Sequence, residues 1–178
     1  MSGSRLAGLD SADLHEALDA GAIGIALQPL VNLRRRDIVR FEALARWTHP
    51  TRGSIPPAAF IPIAERSGQI TALTSAVLLQ TALHLARWRS LVPGAQVDVN
   101  VSMLSLHDPT FPELLASAIG SSGLEPSWFG LEITESTFMH DPERTTKAVE
   151  SLRSLGCVSR SMTSGAAIPP LAIWRLCR

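Results

Sequence analysis

The chain has 178 residues, of which 46% are hydrophobic and 18% charged, and its formal net charge is zero. This length and composition predict one globular domain with a real core and argue against a disordered chain. A neutral chain has no bulk electrostatic attraction to nucleic acids or anionic membranes. The charged amino terminus lacks the apolar core of a signal peptide, and polar residues interrupt the most apolar segment, residues 70–91. We therefore predict a cytoplasmic protein whose partners include neither a nucleic-acid polymer nor a membrane.

Strands and helices are predicted to alternate along the first 156 residues. Alternation of apolar and polar residues predicts the strands, and apolar residues at helical spacing predict the helices. An aspartate followed by proline marks two helix starts, at Asp108 and Asp141, and Gly156 marks the end of the last helix. In chain order the main predicted elements are a helix over 12–20, strands over 23–33 and 38–47, a helix over 69–90, a strand over 96–103, a helix after 109, a strand over 128–135 and a helix after 142.

The strand pattern indicates a sheet with one polar face near the strand ends. Strands that alternate with helices favour a mainly parallel α/β sheet. A parallel strand buried on both faces is almost entirely apolar, whereas three of these strands carry a polar face. A (β/α)8 barrel reconciles the two observations, because its interior opens into a site at the strand ends. The predicted fold class is therefore α/β, with about the first four strand–helix units of a partial (β/α)8 TIM-barrel-like fold.

Three polar side chains fall on the polar faces of three different strands. Glu42, Asn100 and Glu132 each lie near the carboxyl-terminal half of their strand. Two carboxylates and an amide carbonyl are hard oxygen donors, which suit magnesium or manganese better than zinc. Arg46 lies four residues after Glu42 on the same strand face and could pair with a phosphate. Each residue alone is better explained as a solvated or backbone-bonded side chain, whereas their coincidence on three strands leaves both interpretations open.

Several motifs resemble the EAL domain, a family of bacterial phosphodiesterases that linearise cyclic di-GMP. The stretches ALQPLVNL, FEALARWTHPTRG and PPAAFIPIAERSGQI carry the resemblance first, with the EAL motif itself at residues 42–44. DVNVS at 98–102 resembles the asparagine strand of the family, and LEITES at 131–136 resembles its Glu-x-x-Glu strand. The resemblance covers about residues 12–156 in the order of the family.

The resemblance implies a (β/α)8-like barrel in which divalent metal at the strand ends assists the attack of water on a phosphodiester. The ligand would be cyclic di-GMP and the product linear pGpG. By motif, Glu42, Asn100 and Glu132 would be ligands of Mg²⁺ or Mn²⁺. The other residues implied by the motifs are Gln28, Leu44 and Arg46, which would contact the dinucleotide, and Glu135, which would brace a catalytic loop.

The last 22 residues, 157–178, do not continue this pattern. In the family the next strand ends in Asp-Asp-Phe-Gly, whose aspartates bind metal and activate the water, and later strands add a lysine, a glutamate and a glutamine. After Glu150 the chain contains no aspartate or glutamate. The resemblance therefore implies an incomplete carboxylate set for a two-metal site.

A shifted reading frame would explain these last residues. Codons for residues 156–171 exist that, read from the third base of the preceding codon, give Val-Arg-Leu-Ala-Leu-Asp-Asp-Phe-Gly-Ser-Gly-Tyr-Ser-Ser-Leu. At the junction of Met162 and Thr163 there is no choice, because ATG followed by ACN always yields GAC, an aspartate codon. A single-base deletion near the Gly156 codon would produce this tail, and the nucleotides of the gene test the hypothesis. An evolved carboxyl terminus is the alternative.

The predicted organisation is a lead at 1–11, the amino-terminal half of an EAL-like domain at 12–156 and a non-family tail at 157–178. We predict a relative of the cyclic di-GMP phosphodiesterases that is itself inactive, so whether it is an enzyme stays open. The alternative is a degenerate module that binds cyclic di-GMP or another protein without catalysis. Because a half-barrel would leave its last strand unpaired, we also predict association through that exposed edge.

Overall fold

The computed structural model describes residues 6–88, 90–91, 96–134 and 141–162, with the backbone alone for 134 and 158–162. Within these residues, no helix is both long and apolar enough to cross a membrane. The helices are α1 (Ser11–Asp19), α2 (Pro57–Arg66), α3 (Ile70–Trp88), α4 (Met103–Leu106), α5 (Phe111–Ser122) and α6 (Pro142–Ser154). The strands are β1 (Ile23–Asn32), β2 (Asp37–His49), β3 (Gly53–Ile55), β4 (Val97–Val101), β5 (Phe129–Thr134) and β6 (Val158–Met162).

The strands form one sheet in the order β1-β2-β4-β5-β6, with β3 paired to β2. β2, β4, β5 and β6 run parallel, and helices connect them, as the α/β prediction requires. β1 is antiparallel to β2, because the turn between them spans only residues 33–36 and a parallel connection needs a crossover of a dozen residues or more. The described sheet therefore has four parallel strands, with the antiparallel β1 at its edge and the short antiparallel β3 beside β2.

β6 corrects one expectation from the sequence. Its backbone pairs in parallel with β5, from Gly130 opposite Val158 to Thr134 opposite Met162, so the last predicted strand is not left unpaired. The prediction was wrong because ladder hydrogen bonds use backbone groups and tolerate unusual side chains. Association through a sheet edge stays a prediction.

Local capping explains where α1 and α6 begin and end. In α1, Asp10 accepts hydrogen bonds from the second and third residues of the helix, while Asp13 accepts one in return from the Asp10 amide. In α6, Asp141 accepts a hydrogen bond from the Arg144 amide at 3.1 Å, which confirms the predicted cap. Gly156 follows the end of α6 with φ +88°, a left-handed conformation that suits glycine.

Two boundaries around β4 differ from the prediction. The strand ends at Val101 rather than at residue 103, because the Ser102 hydroxyl accepts a hydrogen bond from the Ser105 amide and begins α4. Asp108 does not cap α5. It accepts hydrogen bonds from the amide and hydroxyl of Thr110, at 2.9 and 2.7 Å, and so shapes the turn before the helix. The hydrogen bonds from Thr110 also hold the pKa of Asp108 below its usual value.

The hydrophobic core lies between the sheet and the helices that cover it. α3 packs against β1, β4 and α5, and its buried face includes Leu73, Val77 and Leu78. The sequence pattern also predicts Leu79 and Leu83 in this stripe, but they are 44% and 45% exposed. They lie outside the stripe because α3 is apolar on most of its circumference, which leaves periodicity with little power to select the buried face.

Arg36, in the turn between β1 and β2, provides a stability prediction. Asn32 Oδ1 accepts hydrogen bonds from the amides of Arg34 and Arg35, at 3.0 and 3.1 Å, and Arg36 has φ +57°. A left-handed conformation costs a non-glycine residue roughly 1–2 kcal/mol, and glycine loses about 0.5–1 kcal/mol more on ordering. Arg36→Gly should therefore raise the free energy of unfolding by about 0.5–1 kcal/mol in urea titrations. Arg35→Gly, where φ is not positive, should lower it; equal losses in both variants would contradict the explanation.

Candidate functional site

The polar side chains of three parallel strands share one face of the sheet. In the register of the sheet, Glu42 is opposite Asp98 and Asn100 is opposite Glu132, and register partners point to the same side. The Asn100 side-chain amide donates a hydrogen bond to Glu42 Oε1 at 2.7 Å. Glu132 is 8% exposed. The three residues singled out from the sequence are therefore brought to one face, and two of them are in contact.

Three further predicted residues lie on β1 and β2. Gln28 is the register partner of Glu42 and is exposed. Leu44 and Arg46 follow Glu42 on the same face of β2 and are half-buried. The Arg46 guanidinium donates a hydrogen bond to the carbonyl of Ala45 at 2.9 Å, which turns it toward its own strand. Glu135 lies outside the described residues.

A cavity of about 560 Å³ opens beside this polar face. It lies between the carboxyl-terminal ends of β2 and β4 and the helices α2 and α3, and its size is typical of small-molecule sites. Most of its walls are apolar, with a few polar groups. The residues that line it include Leu44, Ala45, Pro57, Ile61, Leu73 and Val77 on the apolar side and Glu65, Thr74, Asn100 and Ser102 on the polar side.

A small hydroxyl network adjoins this cavity, because Thr74 and Ser102 are among the residues that line it. The buried Thr74 and Ser105 hydroxyls lie 3.1 Å apart, and Ser102 donates a hydrogen bond to Ser105 at 3.2 Å. No sequence motif points to this network. The serines that follow β4 were the available signal, but pairing them with Thr74 requires knowing that α3 crosses the end of that strand.

The polar face carries a third carboxylate, Asp98, in addition to Glu42 and Glu132. The Asp98 side chain is fully buried, and its Oδ2 lies 2.5 Å from Nε of Arg40. Each member of this pair precedes a predicted site residue by two positions, Arg40 before Glu42 and Asp98 before Asn100. Because side chains two positions apart on a strand share a face, Arg40 lies on the face of Glu42 and Asp98 on the face of Asn100. Strand periodicity alone predicts this placement.

The donor chemistry of the face fits a hard divalent cation in part. Among the residues that the structure describes, no cluster of three His, Cys, Asp or Glu side chains has the geometry of a metal site. Glu42 and Glu132 supply two carboxylates, and the Asn100 amide adds a carbonyl oxygen. Magnesium is commonly held by one or two carboxylates together with waters, so this set suits one ion better than a pair.

Comparison with known proteins places this arrangement in a family. The EAL domain model matches residues 11–158, which is most of the chain. The chain belongs to the EAL domain family. An uncharacterized signaling protein of Caulobacter vibrioides is 38% identical over 144 residues, covering 81% of this chain and 17% of its own length. An uncharacterized protein of Mycobacterium tuberculosis is 36% identical over 148 residues, covering 82% of this chain and 48% of its own length.

Solved EAL structures have the same fold. The PaMucR phosphodiesterase in complex with c-di-GMP matches with a TM-score of 0.83 and 29% identity, over 93% of this chain and 67% of that one. The FimX EAL domain from Pseudomonas aeruginosa bound to c-di-GMP matches with a TM-score of 0.79 and 24% identity, over 92% and 66%. The predicted EAL family and partial (β/α)8-like fold are thus confirmed. The chain spans 17% to 48% of the length of the curated relatives described above.

Proposed function

We propose that this EAL chain binds cyclic di-GMP at the polar face of β2, β4 and β5 and does not hydrolyse it. The observation that carries the proposal is the contact between Asn100 and Glu42 at the mouth of an apolar cavity of about 560 Å³. A purine base is flat and largely apolar, and the cavity offers it apolar walls that begin at Leu44. The 29% identity to a phosphodiesterase solved with c-di-GMP supports the same ligand.

Charge on this face suits a phosphodiester bridged by a cation. Glu42 and Glu132 would hold Mg²⁺ or Mn²⁺ together with the carbonyl oxygen of Asn100. When bound, such a cation neutralises phosphate charge and lowers the pKa of a coordinated water. Arg46 would turn from the Ala45 carbonyl to the phosphate, since a guanidinium matches phosphate oxygens better than a single carbonyl. Gln28 would contact the dinucleotide from β1.

The absence of turnover is proposed from the sequence that follows β5. Where the family resemblance would place two aspartates at the end of the next strand, this chain has Met162 and Thr163, and no carboxylate follows Glu150. Attack on a phosphodiester needs a strongly activated water, and in two-metal sites both ions contribute to that activation. A site that lacks this pair of aspartates would hold the ligand better than it would cleave it.

Calorimetric titration of the 178-residue chain with cyclic di-GMP tests the proposal, in parallel with chromatography for linear pGpG. We expect saturable binding that Mg²⁺ or Mn²⁺ strengthens, and no linear product. Asn100→Ala should weaken binding, whereas Lys147→Ala, on the exposed outer face of α6, should not. Metal-dependent appearance of pGpG would rule out the non-catalytic function, and absence of saturable binding would rule out the ligand.

A further inference from the structure

An ion pair with a fully buried carboxylate lies beside the contact between Asn100 and Glu42. Arg40 Nε is 2.5 Å from Asp98 Oδ2, and the side chains of Arg40 and Asp98 are 34% and 0% exposed. The register of the sheet places Asp98 directly opposite Glu42. Arg40 therefore reaches diagonally from β2 to β4, on the face that carries the candidate site.

The ladder that this pair spans is short. β2 and β4 share three register partners, Phe41 with Val97, Glu42 with Asp98 and Ala43 with Val99. Few backbone hydrogen bonds specify a register weakly, and a slip of one residue turns every side chain to the other face. A slip of two residues would move the partners apart by roughly 6.6 Å along the strands. Either slip would move the Asp98 carboxylate away from the Arg40 guanidinium.

Separating a buried carboxylate from a charged partner is unfavourable, so the ion pair favours one register of β2 against β4. The same register brings the Asn100 amide to 2.7 Å from Glu42 Oε1. The ion pair and the contact between Asn100 and Glu42 thus depend on the same register. The other register partners, which face the opposite side of the sheet, are apolar, so no charge among them favours this register.

We propose that Arg40 and Asp98 are positioning residues of the ligand site, which fix the alignment at which Glu42 and Asn100 meet. Neither touches the ligand. The consequence for affinity rests on the proposed binding of cyclic di-GMP, but the alignment itself can be measured without any ligand.

The test compares Asp98→Asn, Arg40→Gln and the double variant that carries both changes. The readout is the exchange of the Asn100 side-chain amide protons with water, followed by nuclear magnetic resonance and assigned with Asn100→Asp. Each single variant removes one of the two charges of the ion pair and should speed this exchange by about tenfold, the equivalent of one hydrogen bond. The double variant keeps two complementary amides without net charge and should recover most of the protection. Cyclic di-GMP affinity should change in the same order.

Val149→Ala controls for general loss of stability, because Val149 is buried on α6, which packs against α4 and β6. Faster exchange in this variant, or unchanged exchange in both single variants, would overturn the proposal. If a single variant unfolds, the double variant decides: recovery of the fold without recovery of protection also overturns it. Failure of every form to bind cyclic di-GMP would refute the proposed function alone, since the exchange measurement needs no ligand.

Discussion

Trp47→Ala should lower the free energy of unfolding by about 3–5 kcal/mol. Trp47 is 1% exposed, and its ring packs edge-to-face on Phe60, with centroids 5.8 Å apart. It also lies 5.7 Å from the ring of His49. Removing the indole would open a large cavity between α2 and β2, the strand that also carries Arg46. Denaturant unfolding followed by far-ultraviolet circular dichroism measures the loss.

Trp47→Phe is the matched control for this prediction. The indole Nε1 is buried and has no hydrogen-bond partner among the described residues, so its removal leaves no lost bond to count. The phenyl ring keeps most of the packing against Phe60, and the loss should stay near 1–2 kcal/mol, within the range for partial truncation of a core side chain. A loss as large as that of Trp47→Ala would show that the N–H group matters and that packing alone does not explain the stability.

Cys157 should react with alkylating reagents about a hundredfold more slowly than an exposed thiol at pH 8, because burial raises its pKa from 9.0 to about 11. The thiolate is the reactive form, so the rate should rise about tenfold for each pH unit and level off near pH 11 instead of pH 9. The folded state holds this proton more tightly than the unfolded state. Its contribution to stability is therefore present below about pH 9 and is lost as the pH rises toward 11.

The measurement uses Cys177→Ser, so that Cys157 is the one thiol that reports. Stopped-flow alkylation gives the rate across the pH range, and the same chain in urea should react like a free cysteine. A rate that levels off near pH 9 in the folded chain would contradict the burial of the thiol.

Local chemistry was readable from the sequence. The cap at Asp141 depends on a side chain and a backbone amide three residues away, so the sequence alone predicts it. The shared face of Glu42, Asn100 and Glu132 follows from the period of two along each strand. The EAL motifs made the family and fold predictable as well. The ligand roles of these residues stay predictions.

Contacts between distant segments were not readable in the same way. The pairing of Arg40 with Asp98 joins residues 58 positions apart, and the register between β2 and β4 decides it. The cavity arises where α2 and α3 cross the ends of two strands, and no single segment encodes its shape. β6 was missed because its side chains resemble no strand of the family, while its backbone still pairs with β5.

The reversed direction of β1 decides where the amino-terminal segment lies relative to the candidate site. Because β1 runs antiparallel to β2, its first residue, Ile23, is paired with Trp47, next to Arg46. The segment that leads into β1 is held there too. Arg52 donates hydrogen bonds to the carbonyls of Ala7 and Gly8, at 2.6 and 3.3 Å.

Polypeptide joined ahead of Ala7 would therefore arrive on the mouth side of the sheet, a few residues from the side chains proposed to bind the ligand. Tension or rotation applied to that junction would pass through Arg52 into the turn that ends β2. A force on the amino terminus would therefore act close to the turn that ends β2. If β1 ran parallel to β2, its first residue would lie at the opposite end of the sheet.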